Sequence, residues 1–211
     1  MDIGSSRISY DRGTLDEADV GSDPVERLRS WIDQARAGGV TEPHAMCLAT
    51  ADGDGVPSAR IVLLRGLDAR GLAFYTSYFS RKGRELLRNP HAAATFFWPA
   101  LQRQVRVEGT VERLSEDESD AYFASRPRGS RLAAWASEQS EPIERRALLE
   151  ERVAHFDERF AGEEVERPHS WGGYLIVPRR IEFWQGRENR LHDRLVFERA
   201  GTGWTLHRLQ P

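Results

Sequence analysis

The chain predicts an α+β fold, an antiparallel β-barrel with helices in its connections. Short apolar runs alternate with polar residues at the two-residue period of a strand. Val105, Val107 and Val111 share one face, and Arg106, Glu108 and Glu112 share the other. Asp52-Gly53-Asp54-Gly55 separates two such runs, as a hairpin requires. Helical periodicity falls irregularly between the strands, which argues against a repeating βαβ sheet.

Residues 1–22 are polar and read as an extended, mobile arm; 23–211 read as one domain. Asp23-Pro24 opens a helix, with Asp as N-cap and Pro in the first helical position. Val25, Leu28, Trp31, Ile32 and Ala35 form its apolar stripe, and Gly38-Gly39 ends it. Strands follow at Ala45–Ala51, Pro57–Arg65 and Gly71–Ser77. A short helix over Ser80–Leu87 stops before Asn89-Pro90. Two more strands are expected at Ala93–Trp98 and Gln102–Leu114. Ser115 and Glu118 make a capping box for a helix reaching about Ser125. A further helix is expected near Leu132–Ala136. Leu149, Val153, Phe156 and Phe160 give an amphipathic helix within 142–161. Strands at Gly173–Val177, Arg180–Gln185, His192–Glu198 and Trp204–Leu209 close the chain.

Composition bounds the function. The chain has 211 residues, enough for one sizeable core, and its formal net charge of −3 gives no global basic field for nucleic acid. A hydrophobic fraction of 39% beside 30% charged residues suits a globule that buries part of its surface against a partner. No run is apolar enough to span a membrane and no signal peptide opens the chain, so a cytoplasmic location is expected. The single Cys47 lies in an apolar run and reads as a buried thiol; it excludes an internal disulfide. The six histidines show no metal-binding spacing, so no metal is expected. There is neither a glycine-rich phosphate loop nor a G-x-S-x-G elbow. A bound phosphate would therefore need basic side chains. Lys82 is the only lysine in the chain, beside 29 arginines.

Two basic clusters stand out. In Phe183-Trp184-Gln185-Gly186-Arg187-Glu188-Asn189-Arg190-Leu191-His192-Asp193-Arg194, strand alternation would put Arg190, His192 and Arg194 on one face. Such a face suits a phosphorylated aromatic molecule; read alone, it equally suits a solvated strand. The upstream cluster comprises Arg60-Ile61-Val62-Leu63-Leu64-Arg65, Tyr75-Thr76 and Ser80-Arg81-Lys82-Gly83-Arg84-Glu85-Leu86. Arg81 and Lys82 stand where a helix begins, adding to a field that favours anions. A solvent-facing basic turn is the plain alternative.

With Arg126-Pro127-Arg128-Gly129-Ser130, Ala134-Trp135-Ala136-Ser137 and Trp171-Gly172-Gly173-Tyr174, these blocks resemble the flavin-dependent pyridoxamine 5′-phosphate oxidase family from about Arg7 to Pro211. The resemblance implies an FMN-binding split β-barrel of Greek-key type with peripheral helices, and a homodimer with active sites at the subunit interface. It implies FMN contacts at Arg60, Ile61, Val62, Leu63, Leu64, Arg65, Tyr75, Thr76, Arg81 and Lys82. Gln104, Gln139, Ser140, Trp184 and Arg194 would add others, some from the partner. Taken alone, Trp184 equally reads as core and Gln104 as an exposed strand residue. For a phosphorylated pyridine substrate the resemblance implies Tyr122, Arg126, Ser130 and Arg65, with Arg190 and His192 as the catalytic pair over the ring. Arg7 and Tyr10 of the arm would fold over the occupied site. One departure is Arg65, where the family usually has lysine. The activity implied is oxidation of pyridoxine or pyridoxamine 5′-phosphate to pyridoxal 5′-phosphate by O2. A phenazine-type oxidase of the same fold, or a non-catalytic flavin- or pyridoxal-phosphate-binding module, are the alternatives.

Overall fold

The computed structural model describes residues 9–211. Six helices and nine strands appear among them, the strands in a single antiparallel sheet. In chain order they are α1 (Glu17–Val20), α2 (Pro24–Ala37), β1 (Ala45–Ala51), β2 (Pro57–Leu63), β3 (Gly66–Asp68) and β4 (Gly71–Ser77). Then come α3 (Arg81–Arg88), β5 (His91–Trp98), β6 (Arg103–Arg113), α4 (Glu116–Ala124), α5 (Arg128–Ala136) and α6 (Arg146–Arg159). β7 (Trp171–Gln185), β8 (Asp193–Ala200) and β9 (Gly203–Arg208) end the chain. The strands run β2-β1-β5-β6-β7-β4-β3, with β8 on β7 and β9 on β8. The antiparallel α+β architecture is the one the alternation predicts.

The termini of the helices obey local chemistry. The Asp23 carboxylate accepts hydrogen bonds from Val25 N (2.8 Å) and Glu26 N (3.3 Å), and Ser115 with Glu118 forms a reciprocal box at α4. The stripe expected on α2 is buried, and Trp31 meets Phe183 edge-on at 5.2 Å. One sheet face carries Met46, Leu48, Phe96, Val105, Val107, Phe183 and Leu195, all buried. A smaller second core of Phe123, Leu132, Phe160, Val165 and Trp171 lies under α4 and α5.

Several expectations change. The two strands expected at Gly173–Val177 and Arg180–Gln185 are one, β7, which bends but does not end at Pro178. There Glu108 pairs with Arg180 and Gly109 with Pro178, so Arg179 is an extra, bulged residue. Of the arm expected to be mobile over 1–22, the described part, residues 9–22, is anchored: Leu15 and Val20 are buried in the main core, and α1 was not expected. Cys47 is half-buried, because β1 buries Met46 and Leu48 and turns the thiol to the other face. No residue of α6 is fully buried; Leu149, Val153 and Phe156 are half-covered.

The face opposite the core is not a plain solvent face. Ile61 on β2 is 66% exposed and Phe97 on β5 is 53% exposed. Gln104, Trp184 and Arg194 lie on the same face, paired in register across β6, β7 and β8.

The bulge depends on Gly109, where a Cβ would stand 2.1 Å from the Val177 carbonyl oxygen. Gly109→Val is expected to destabilise the fold by about 2–4 kcal/mol, read from the urea-unfolding midpoint. Gly53→Ala is the control: its Cβ would have only Arg88 within 4 Å, at 3.9 Å. A control as damaging as Gly109→Val would remove the bulge from the account.

Candidate active site

A cleft of about 850 Å³ opens between β2, the β4–α3 junction, the α4–α5 turn and the segment at Gln139. It gathers Arg60, Ile61, Val62, Leu63, Arg65, Tyr75, Thr76, Arg81, Lys82, Tyr122, Arg126, Ser130, Gln139 and Ser140 from the residues expected by resemblance. Among the described residues, five of its lining side chains are cations and none is acidic, a charge that suits an anionic ligand.

Leu64 is a correction. It points into the core, only 8% exposed, and does not line the cleft. Its neighbours Leu63 and Arg65 do, because successive side chains of an extended segment face opposite ways.

The first cationic group is held by Glu85, which the sequence reading did not single out. This carboxylate is 5% exposed and accepts hydrogen bonds from Thr50, Ser58, Arg60 and Arg81, the last at 2.8 Å. Burial alone would raise its pKa; hydrogen bonds from Thr50, Ser58, Arg81 and Arg60 overcome this and hold it at about 2. Arg81 gives its Nε to Glu85 and keeps its two terminal nitrogens for the cleft. The signal was present in the sequence: Arg81 and Glu85 are four residues apart on one helix.

Lys82 has no such partner. It is 8% exposed, and its ammonium donates to Thr76 Oγ1 (3.0 Å), Gln139 Oε1 (3.0 Å) and Ser80 Oγ (3.3 Å), all neutral. Burial and then the nearby Arg60 lower its pKa, Glu85 partly offsets them, and the net value is about 8. Thr76 Oγ1 also donates to Gln139 Oε1 at 2.8 Å, which leaves the amide nitrogen of Gln139 as the group it can offer a ligand. Ser140 Oγ accepts from Arg81 N at 3.1 Å.

The second cationic group lies across the cleft. The Arg126 guanidinium is stacked 4.5 Å over the ring of Trp171, and its Nη1 is buried without a hydrogen-bond partner. Burial pushes its pKa down, Tyr122 opposes this, and the facing Arg65 lowers it again. Tyr122 stacks on Tyr75 with centroids 3.8 Å apart and lies parallel to Trp171. Trp171 was read only as part of a motif; here it supports both Arg126 and Tyr122.

The remaining expected residues form a separate cluster. Gln104, Trp184, Arg190, His192 and Arg194 do not line the cleft. Trp171 and Trp184 stand thirteen residues apart along β7, a path of roughly 40 Å at about 3.3 Å per residue, which the bend at Pro178 shortens in space. Arg194 is clasped by the buried Glu182 at 2.9 and 3.0 Å. His192 lies 4.6 Å from the Trp184 ring, and Tyr10 meets both rings edge-on or tilted at 5.7–5.8 Å. The alternation expected for Arg190, His192 and Arg194 fails: β8 begins at Asp193, and Arg190 ends a 3-10 turn with φ +65°. His192 Nδ1 accepts from Arg187 N at 3.0 Å. Burial and Arg190 lower the pKa of His192, against Asp193, which favours the neutral imidazole; with Nδ1 accepting from Arg187 N, the proton of that form sits on Nε2. Arg7 lies outside the described residues.

A single antiparallel sheet with a cleft lined by five cations and no acid among the described residues defines an α+β protein suited to anionic ligands. Comparison with known proteins narrows the class. Residues 32–160 match the family model for pyridoxamine 5′-phosphate oxidase, and 171–211 match the pyridoxine 5′-phosphate oxidase C-terminal dimerisation region. The chain belongs to the pyridoxamine 5′-phosphate oxidase family. A pyridoxine/pyridoxamine 5′-phosphate oxidase of Rubrobacter xylanophilus is 57% identical over 210 residues, covering 100% of this chain and 97% of that one. Its counterpart in Bordetella avium is 56% identical over 212 residues, with both chains fully covered. Among solved structures, PhzG of Burkholderia lata in complex with tetrahydrophenazine-1-carboxylic acid superposes with a TM-score of 0.88 at 34% identity. That match covers 94% of this chain and 98% of PhzG. An FMN-binding protein of Nostoc punctiforme shares the fold (TM-score 0.68, 19% identity, 87% and 97% covered).

FMN is the cofactor, and the residues fit it: Arg60, Arg81 and the charge of Lys82, whose hydrogen bonds among the described residues go only to neutral acceptors, suit its phosphate, and Thr76, Gln139 and Ser140 its polar edges. A phosphate beside Lys82 stabilises the ammonium and raises its pKa. Affinity for FMN is therefore expected to be greatest between about pH 6, where the phosphate becomes dianionic, and pH 8, and to fall as pH rises through 8 by up to about tenfold per pH unit. Riboflavin, lacking the phosphate, is expected to show no such fall in fluorescence-quenching titrations. Parallel curves for the two would remove Lys82 from the phosphate site.

Proposed function

We propose that the protein oxidises pyridoxine 5′-phosphate and pyridoxamine 5′-phosphate to pyridoxal 5′-phosphate, a reaction of vitamin B6 salvage. O2 takes the two electrons and two protons and leaves as H2O2; the amine substrate also consumes water and releases ammonia. The observation that carries this reading is the second cationic group. One phosphate occupies Arg60, Arg81 and Lys82, yet Arg126 and Arg65 still face an acid-free cavity, beside the hydroxyls of Tyr122 and Ser130. A substrate with its own phosphate supplies the missing charge.

FMN supplies the acceptor for the hydride leaving the substrate carbon. The rest is the work of side chains. Arg126 and Tyr122, braced by Trp171, bind and orient the substrate phosphate. Since Trp184, Arg190 and His192 stand far along β7 from the cleft, a second copy of the chain completes each site in a homodimer. The match to a dimerisation region over β7–β9 supports this, as do the exposed Ile61 and Phe97 on the outer sheet face. His192 offers a neutral Nε2–H to the substrate, and Arg190 a fixed positive charge.

The likeness to PhzG favours a second reading, an oxidase of a non-phosphorylated aromatic acid. Anaerobic titration with pyridoxine 5′-phosphate separates the two. Bleaching of the flavin that recovers in air, with pyridoxal 5′-phosphate formed, supports the first. Bleaching by an aromatic acid alone supports the second, and no bleaching by either leaves a binding module.

Two variants follow. Arg190→Leu is expected to lower kcat by about 10²-fold with flavin still bound, measured by stopped-flow absorbance. Arg126→Met is expected to raise KM for the phosphorylated substrate roughly 30-fold, the loss of a charge-assisted hydrogen bond worth about 2 kcal/mol. Wild-type constants in either variant would take that residue out of the site.

A further inference from the structure

Asp193 follows His192 and takes no part in the site as described so far. Its carboxylate is nearly covered, its side chain 16% exposed, and it collects three donors from three separate parts of the chain. Oδ2 accepts from Leu15 N of the N-terminal segment (3.1 Å) and from Arg187 Nη1 of the β7–β8 loop (3.0 Å). Oδ1 accepts from Arg208 Nη1 at the end of β9 (2.9 Å). Each partner has a second attachment. Arg187 also gives its main-chain N–H to His192 Nδ1, so Asp193 anchors the residue that sets the imidazole tautomer. Arg208 reaches Leu15 O (3.1 Å) and the Glu17 carboxylate (2.8 and 2.9 Å), so it grips the same segment from the other side.

Between these anchors the segment lies along the loop. Arg12 N donates to Gln102 Oε1 at 2.9 Å, and Gln102 Nε2 donates to Ser9 O at 3.3 Å. Tyr10 lies over Gly186, where a Cβ would stand 2.9 Å from the Tyr10 ring carbon Cγ; only glycine permits that approach. The ring of Tyr10 thereby reaches His192 and Trp184.

We infer that Asp193 is a positioning residue: through Arg187 it orients His192, and through Leu15 and Arg208 it holds the N-terminal segment, with Tyr10, against that histidine. The carboxylate makes the segment and the catalytic loop one unit. This rests on the proposed role of His192. The charged and titratable groups about the imidazole are Arg187, Arg190 and Asp193 of its own loop and Tyr10 of the segment packed on it.

The test is Asp193→Asn in the FMN-loaded protein, with Arg208→Gln beside it. Amide hydrogen exchange at residues 10–15 needs no turnover, so it judges the clamp even if the proposed reaction fails. Both variants are expected to speed that exchange by about tenfold or more, as the loss of a charge-assisted bond implies. In turnover, Asp193→Asn is expected to lower kcat on the order of tenfold and to move the acid limb of the pH profile downward, since a charge that favours the imidazolium is gone. Arg208→Gln loosens the segment but leaves Arg187 on Asp193, so KM rises while kcat and the pH profile stay. Exchange at wild-type rates in both variants would overturn the clamp. Faster exchange with kcat and pH profile unmoved in Asp193→Asn would overturn the link to His192.

Discussion

The organisation of this protein depends on one strand. β7 pairs with β6 from Tyr174 to Gln185, with β4 over Trp171–Ile176 and with β8 over Arg180–Gln185. A flat strand could not serve both flanks of a closed core; the bulge at Gly109–Pro178 turns it so that the two halves lead to different neighbours. The same strand carries Trp171 at the cleft and Trp184 in the His192 cluster. Its length keeps the two groups apart within one chain.

Charge is arranged in the cleft by unequal means. Burying a cation without a partner is costly, and the usual remedy is an acid within the same network. Glu85 provides that for Arg60 and Arg81, unequally: Arg81 is held through its Nε, whereas both terminal nitrogens of Arg60 are engaged, by Leu48 O and Thr50 on one side and Ser58 and Glu85 on the other. Lys82 and Arg126 have no acid, only neutral acceptors or an aromatic face. Both groups are therefore suited to anionic ligands.

Local chemistry was legible in the sequence and long-range pairing was not. Asp23, the Ser115–Glu118 box and the hairpin at Asp52–Gly55 declare themselves because their partners are within four residues. The basic blocks likewise led to most of the cleft, since each block is contiguous. What escaped notice needed a partner from afar. Pro178 reads as the end of a strand until β6 is known to bulge opposite it. Leu15 reads as part of a polar arm until Asp193, 178 residues away, is seen to accept its N–H. Arg190 reads as strand because alternation cannot reveal a left-handed residue in a tight turn.

Why a chain with 29 arginines keeps one lysine follows from the geometry around it. An ammonium carries three donors, and Lys82 meets three acceptors: Thr76 Oγ1, Gln139 Oε1 and Ser80 Oγ. A guanidinium brings five donors in a plane, and beneath the cleft floor at least two would be buried unpaired, at roughly 1–3 kcal/mol each. Arg65 faces no such limit. Its side chain is exposed at the cleft wall and its main chain is fixed by Ala73 O at 2.8 Å, so a planar fork can reach a phosphate without leaving donors stranded. The compositional pressure toward arginine therefore passes through Arg65 and stops at Lys82. Their difference is one of burial, and it makes the arginine at position 65 compatible with the same anionic ligand.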